Sequence, residues 1–272
     1  MRGPLTTMAA AAFLFAALLL SPGLGAEPLR FGISPGELEL LPGPGGTATG
    51  SLLVINYTAQ RIHFRVQVQD LFLRPSGELD VLPPGRLKWS VAKMTRLTPS
   101  EFDLEARQAV PVRVTVTLPP EARGGRYGVI VVSPAPVLQT NGARGTVSIV
   151  VPKLAARLLV PVKGTEVVRG AITGMVAAPR PANRGADVKV IFRNSGNVHV
   201  RASGELTISA PDGRQLVRLP IAEAIILPGS VREFRLTWDG AALGPGVHTV
   251  RAVMDYGAEA LVAGELTFTV RK

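Results

Sequence analysis

Between Ile62 and Gln69 apolar and polar residues alternate without a break. Ile62, Phe64, Val66 and Val68 fall on one side, and His63, Arg65, Gln67 and Gln69 on the other. A period of two residues is that of a β-strand with one buried and one wet face. The strand sits inside a larger unit, Ser51 to Asp70, in which an apolar run stops at Asn56, a polar turn follows and the alternating run begins. The same plan recurs at Asp187 to Ser209: the apolar run stops at Asn194, and Val198, Val200 and Ala202 then alternate with His199, Arg201 and Ser203. A strand-turn-strand unit used twice predicts one fold used twice, with antiparallel sheets whose outer faces meet water.

The chain of 272 residues is long enough for two cores, since single domains usually run to about 100–150 residues. Val, Ile, Leu and Ala are plentiful while 29 Gly and 23 Pro interrupt the sequence at short intervals, a mixture that suits many short strands joined by tight turns. No helical period of useful length follows the first residues. The expected fold is all-β: two tandem immunoglobulin-like antiparallel β-sandwich domains, residues 27–163 and 164–272, behind a signal peptide at residues 1–26.

The leader reading rests on Arg2, the unbroken apolar run Met8 to Leu20, and the small-residue exit Ser21 to Ala26, with cleavage after Ala26. The apolar run is shorter than the roughly 20 residues a spanning helix needs, and no later run reaches that length. The mature chain is therefore expected to be exported, to the periplasm or the cell surface, with no transmembrane segment. With no cysteine there are no disulfides, no thiol chemistry and no lipid-modified N-terminus, so core packing must hold the domains.

In chain order, Leu29–Ile33 and Glu37–Leu41 read as a first strand broken at Pro35 and Gly36, and Thr49–Asn56 as a strand buried on both faces. Leu87–Val91, carrying Trp89, reads as a further strand, Leu97–Leu104 as a crossing segment, and Val110–Leu118 as the clearest strand of the first half. The corner before Tyr127 leads to an apolar strand ending near Ser133, and a last long strand, Thr146–Val162, is interrupted at Pro152. In the second half, strands are expected at 171–177, 187–194, 198–209, 215–219, 231–238, 247–256 and 261–270. Gly125 with Tyr127 in the first half corresponds to Gly246 with His248 in the second.

The net charge of +10, from 30 basic and 20 acidic residues, is spread singly along strands. Nucleic-acid binding asks for a clustered stripe with stacking aromatics or a recognised module, so no nucleic-acid partner is expected. His63, His199 and His248 lie in strands without a neighbour at metal-ligand spacing, and read as exposed or edge histidines. No serine sits in a nucleophile elbow, and the glycine-rich stretches 43–50 and 124–128 lack the lysine and helix of a phosphate loop. No catalytic residue, metal site or cofactor is expected, and the chain does not read as an enzyme. Asn56-Tyr57-Thr58 matches the short glycosylation pattern.

What remains is sheet edges and the cleft between the two tandem sandwiches. An exposed edge presents unpaired amides and carbonyls that accept a strand from another chain. Thr146–Val151 has the required form, with Val147, Ile149 and Val151 alternating; its other reading is a closing strand paired inside its own sheet. Tyr127 likewise has two readings, a half-buried strand aromatic or the tyrosine corner of immunoglobulin-like sandwiches, in which the hydroxyl ties the turn together.

The order of these features along residues 29–162 resembles the N-terminal domain of periplasmic pilus chaperones, the PapD-like immunoglobulin-fold proteins. It is carried by ISPGELEL, the strand ending in Asp70, Trp89, LTPSEFDL, the alternating valine strand and GGRYGVIVVSP. It is similar also to the extracellular domains of WxL-interacting surface proteins, and FRNSGNVHVRASGELTI looks like the second immunoglobulin-like domain that follows in such proteins. The resemblance implies that the last strand of the first domain donates alternating apolar side chains to an incomplete subunit, here Val147, Ile149 and Val151, with Lys153 as the basic residue of that strand. Glu37 stands where the second basic residue of the family falls, and Pro152 removes an amide from the donor. The implied partner is another envelope or surface protein, a pilin-like subunit or surface adhesin, bound by β-strand addition. The alternative is a structural or adhesive envelope protein that binds an anionic cell-wall polymer through its scattered basic residues.

Overall fold

The computed structural model describes residues 30–135, 137–141, 146–150 and 152–271. The leader and its cleavage site, together with Val151, lie outside the described residues. Among those described, no helix is long and apolar enough to cross a membrane.

The fold is all-β, two immunoglobulin-like sandwiches in tandem. The first contains β1 (Phe31–Ser34), β2 (Glu37–Glu39), β3 (Thr47–Asn56), β4 (Ile62–Leu73), β5 (Leu79–Leu82), β6 (Thr95–Thr98), β7 (Glu101–Leu104), β8 (Ala109–Thr117), β9 (Gly125–Pro134), β10 (Val137–Asn141), β11 (Thr146–Val150) and β12 (Leu154–Pro161). One sheet runs β1-β3-β8-β6 and the facing sheet β2-β12-β9-β4-β5, with β7 also on β4, while β10 and β11 form a two-stranded ribbon of their own. The break at Pro35 and Gly36 lets the first strand change sheets: β1 pairs antiparallel with β3, and β2 pairs parallel with β12.

The second sandwich follows with β13 (Gly170–Pro179), β14 (Arg184–Asn194), β15 (Val200–Ser209), β16 (Gln215–Ile226), β17 (Val231–Ala242), β18 (Gly246–Asp255) and β19 (Val262–Val270). Its sheets run β13-β14-β17 and β16-β15-β18-β19. Each sandwich closes over its own core, Phe64, Val66, Val112, Val114, Ile130 and Leu158 in the first and Phe192, Leu206, Ile208, Val250 and Phe268 in the second. Ile62, Phe64 and Val66 are buried, and His63, Arg65 and Gln67 exposed, as their alternation requires.

The repeated asparagine has a structural cause. Asn56 and Asn194 are fully buried at the ends of β3 and β14. The Asn56 amide donates to the carbonyls of Gln60, Leu104 and Glu105, and its Oδ1 accepts from the amide and hydroxyl of Thr58. Asn194 donates to the carbonyls of Val198 and Ile226 and accepts from the Gly196 amide. In both sandwiches one side chain thus satisfies the carbonyls of a turn and of a strand on the opposite side. The same burial removes Asn56 as a glycosylation acceptor in the folded chain.

Several local expectations need correcting. The 87–91 stretch is a turn with only a bridge from Ser90 to Tyr127, because Asp70, fully buried, accepts from the amides of Gly85 and Leu87 and from the Ser90 hydroxyl and holds this segment as a loop. The crossing segment at 97–104 is two strands, β6 on one sheet and β7 on the other. Thr49–Asn56 is not buried on both faces: Leu52 and Val54 point inward while Leu53 and Ile55 are half-exposed. The last strand, by contrast, is interrupted at Pro152 as expected, dividing into β11 and β12.

Replacing Asn56 or Asn194 with alanine leaves buried carbonyls without a donor, at a cost of about 1–3 kcal/mol each. Urea denaturation of either variant should show a lower midpoint with an unchanged slope, whereas Tyr57→Ala, at a 43% exposed side chain, should not.

Candidate functional site

The outer face of the β2-β12-β9-β4-β5 sheet meets the second sandwich. Beyond Val68 the inward register of β4 passes to Asp70, so that Leu71 and Leu73 stand on the outer face. There they pack with Tyr127 of β9 and Leu159 of β12 against Leu227, with Trp89 and Ile225 at the margin. This explains why β9 is apolar on both faces from Tyr127 to Val132, since a strand covered on both sides has no wet register.

Polar groups frame this apolar patch. Tyr127 is fully buried, and its hydroxyl accepts the backbone amide of His199 at 2.6 Å across the seam. Both readings of Tyr127 are thus superseded, for the hydroxyl ties one sandwich to the other rather than closing its own turn. Gly125 is bare because a Cβ there would overlap the Tyr127 hydroxyl, and its amide donates to the Asn197 carbonyl at 2.7 Å. Asn197 also donates to the Thr165 carbonyl and accepts from the Val167 amide, so the β14–β15 turn carries both the linker and the first sandwich.

Beside Tyr127 lies an ion network. Glu37 of β2 pairs with Arg201 of β15 and, through Oε2, sits 2.9 Å from Arg157 Nε of β12. That approach pairs the charges but lies off the N–H direction, so Oε2 accepts no hydrogen bond. Arg201 also reaches Glu39 at 3.2 Å and Glu223 at 3.6 Å, and its guanidinium is held further toward the charged form, chiefly by the bond to Glu37. The acid at position 37 is therefore spent on neighbouring arginines. The register that reads as wet in the second copy, His199 and Arg201, is the face docked on the first sandwich.

His199 is not the exposed histidine expected, its side chain being 6% exposed against Tyr127 and 3.5 Å from Glu39. Burial pushes its imidazole below the usual range, outweighing the pull of Glu39 and Glu37, while Arg201 acts in the same direction as burial. His248 is also buried, stacked on Phe268 at 5.4 Å. Only His63 faces water, between Glu101 and Asp103, and its charge is favoured by hydrogen bonds to both acids. Among the described residues no group of three or more His, Asp or Glu is placed to hold a metal ion.

Of the proposed strand-binding residues, Val147 and Ile149 lie in β11, and Lys153 is exposed between β11 and β12. β11 pairs along its length with β10, Val137 opposite Val150 through Asn141 opposite Thr146, rather than closing a sandwich sheet. The residues that sequence reasoning missed are those of the seam, Glu39, Arg157, His199 and Arg201. The unbroken apolar run of β9 was the one signal for them, because it required a cover on its second face.

No protein-family model and no curated protein sequence matches the chain. Among solved structures the fold is similar to the class 5 fimbriae chaperone CfaA, at 12% identity and a TM-score of 0.47, over 87% of this chain and 98% of that one. It is similar also to a Salmonella enterica SafA pilin–SafB chaperone complex, at 14% identity and 0.43, over 90% and 98%. A CsuC–CsuE chaperone and tip adhesion subunit complex from Acinetobacter baumannii gives 11% identity and 0.43, over 86% and 97%.

Because His199 titrates lower in the fold than the ordinary value of 6.5, its neutral form stabilises the seam. That contribution is complete above pH about 6.5 and declines as the pH falls below it, where the unfolded chain binds the proton first. His63, raised instead, acts with the opposite sign but is exposed and screened. The urea midpoint should therefore fall between pH 7 and pH 5, and His199→Gln should flatten that fall while His63→Gln leaves it in place.

Proposed function

We propose that this chain is an exported, non-catalytic binding protein that captures an extended segment of another envelope protein by strand addition along Thr146–Val150. The observation that supports the reading is the pairing of β11. It has β10 on one side and, among the described residues, no strand on the other. Such an edge offers backbone donors and acceptors at about 3.3 Å per residue to any chain that can lie alongside. Among the described residues the ribbon is paired with neither sandwich sheet, so a strand added to it displaces no strand of those sheets. The partner class is the one the sequence resemblance implies, a pilin-like subunit or surface adhesin. Periplasm or cell surface is the proposed compartment, in keeping with the leader.

Polymer binding through scattered arginines is less well supported. Arg61, Arg65, Arg74, Arg157, Arg201 and Arg218 are each paired with an acid of the same molecule, which lowers the charge they present to a polyanion. Glu37, for its part, is turned into the seam and neutralised rather than presented to a partner.

Ile149→Asp places a charge on the ribbon. It should abolish co-purification of the partner from an envelope extract while far-UV circular dichroism stays unchanged. Capture that persists at wild-type level in this variant discards strand addition at β11. Capture lost by raising salt from about 50 to 500 mM, but indifferent to Ile149, would instead support the polymer reading.

A further inference from the structure

The second sandwich has an opening of its own. Among the described strands β16 pairs only with β15 and β17 only with β14, so two sheet edges face each other across a trough of about 580 Å³. Its walls are apolar at Ile221, Phe234 and Leu236, and Ser76 of the first sandwich stands at one end. Five consecutive residues of β17, Arg232–Leu236, line it, about 16 Å of strand at ~3.3 Å per residue.

Two observations say what belongs there. The first concerns the backbone. The Glu233 amide points away from β14 and donates to the Pro75 carbonyl, at the tip of the β4–β5 hairpin, at 2.8 Å. One residue from another element of the same chain thus already bonds this edge in the manner of an added strand. With a period of two, the amides of Arg235 and Thr237 point the same way, into the opening.

The second concerns charge. The guanidinium of Arg232 lies against Gly77, where a Cβ would overlap it, and over the ring of Phe234 at 5.8 Å. Its Nε is buried with no hydrogen-bond partner, and no acid offsets the desolvation of its charge. The acids of the trough are committed elsewhere, Glu233 to Arg235 and Lys189, and Glu223 to Arg201. Among the charged lining residues described, Arg232 alone has no partner of opposite charge.

We propose that the trough between β16 and β17 is a second docking site, which takes an extended acidic segment of a partner protein as an added strand and seats one of its carboxylates on Arg232. A charge-assisted bond to a guanidinium is about twice as strong as a neutral one, so the acid selects and the backbone holds. The site is separate from β11 and does not rest on strand addition there.

The test uses the mature chain and two short synthetic peptides of alternating valine and threonine, one with a central glutamate and one with a central lysine. The glutamate peptide should shift the amide resonances of Arg235 and Thr237, and the lysine peptide should bind at least about tenfold more weakly. Arg232→Met should erase the difference between them. Arg235→Pro, which removes an outward amide and leaves the bonds to β14, should abolish binding of both with unchanged circular dichroism. Ile149→Asp should leave this binding intact, which separates it from capture at β11. Equal affinity for the two peptides, no binding at millimolar peptide, insensitivity to Arg232→Met or Arg235→Pro, loss in Ile149→Asp, or resonance shifts explained by self-association alone would each overturn the proposal.

Discussion

The contact between Tyr127 and the second sandwich is what makes two repeated units into one molecule. Its ring fills the apolar patch with Leu71, Leu73, Leu159 and Leu227, and its hydroxyl is satisfied by the His199 amide. A buried hydroxyl without a partner is costly, so the ring can bury only where the other sandwich supplies the donor. Around it the choices become forced. Gly125 has no side chain because the hydroxyl occupies that space, β9 is apolar on both faces because both are covered, and Glu37 with Arg201 closes the polar rim.

The two copies have diverged at this point and agree elsewhere. Asn56 and Asn194 perform the same buried bonding in each, and Gly125-x-Tyr127 has its counterpart in Gly246-x-His248 at the starts of β9 and β18. In the second copy the histidine stacks within its own sandwich on Phe268. In the first, the tyrosine reaches out. The same corner is thus used once for internal packing and once for joining.

The strands were legible because alternation reports directly on which side of a sheet meets water, as in Ile62–Val68 and the 110–118 run. The asparagine stops were legible as pattern, though not as bonding, since their carbonyl partners Leu104 and Ile226 are remote in sequence. The seam was not legible. His199 and Arg201 are polar in either case, and sequence does not distinguish a polar face in water from one matched to Glu37 and Glu39. The 87–91 segment misled for a related reason: its strand-like residues, Trp89 among them, are drawn into a loop by Asp70, an acid whose loop amides lie 15 and 17 positions away. For the ribbon, alternation identified β11 as a strand and left its partner undetermined; the pairing with β10 fixes which edge remains.

The sandwiches are joined covalently by the segment between β12 and β13, which Asn197 fastens to the β14–β15 turn. The bond from Glu233 to Pro75 provides a separate attachment at the tip of the β4–β5 hairpin. Two fixed points define a line, and a body pinned at two points has lost its freedom to swivel. The seam at Tyr127 and the pair of Glu37 with Arg201 add further points of attachment, so the hinge that two points alone would leave is closed and the sandwiches behave as one body rather than two on a tether.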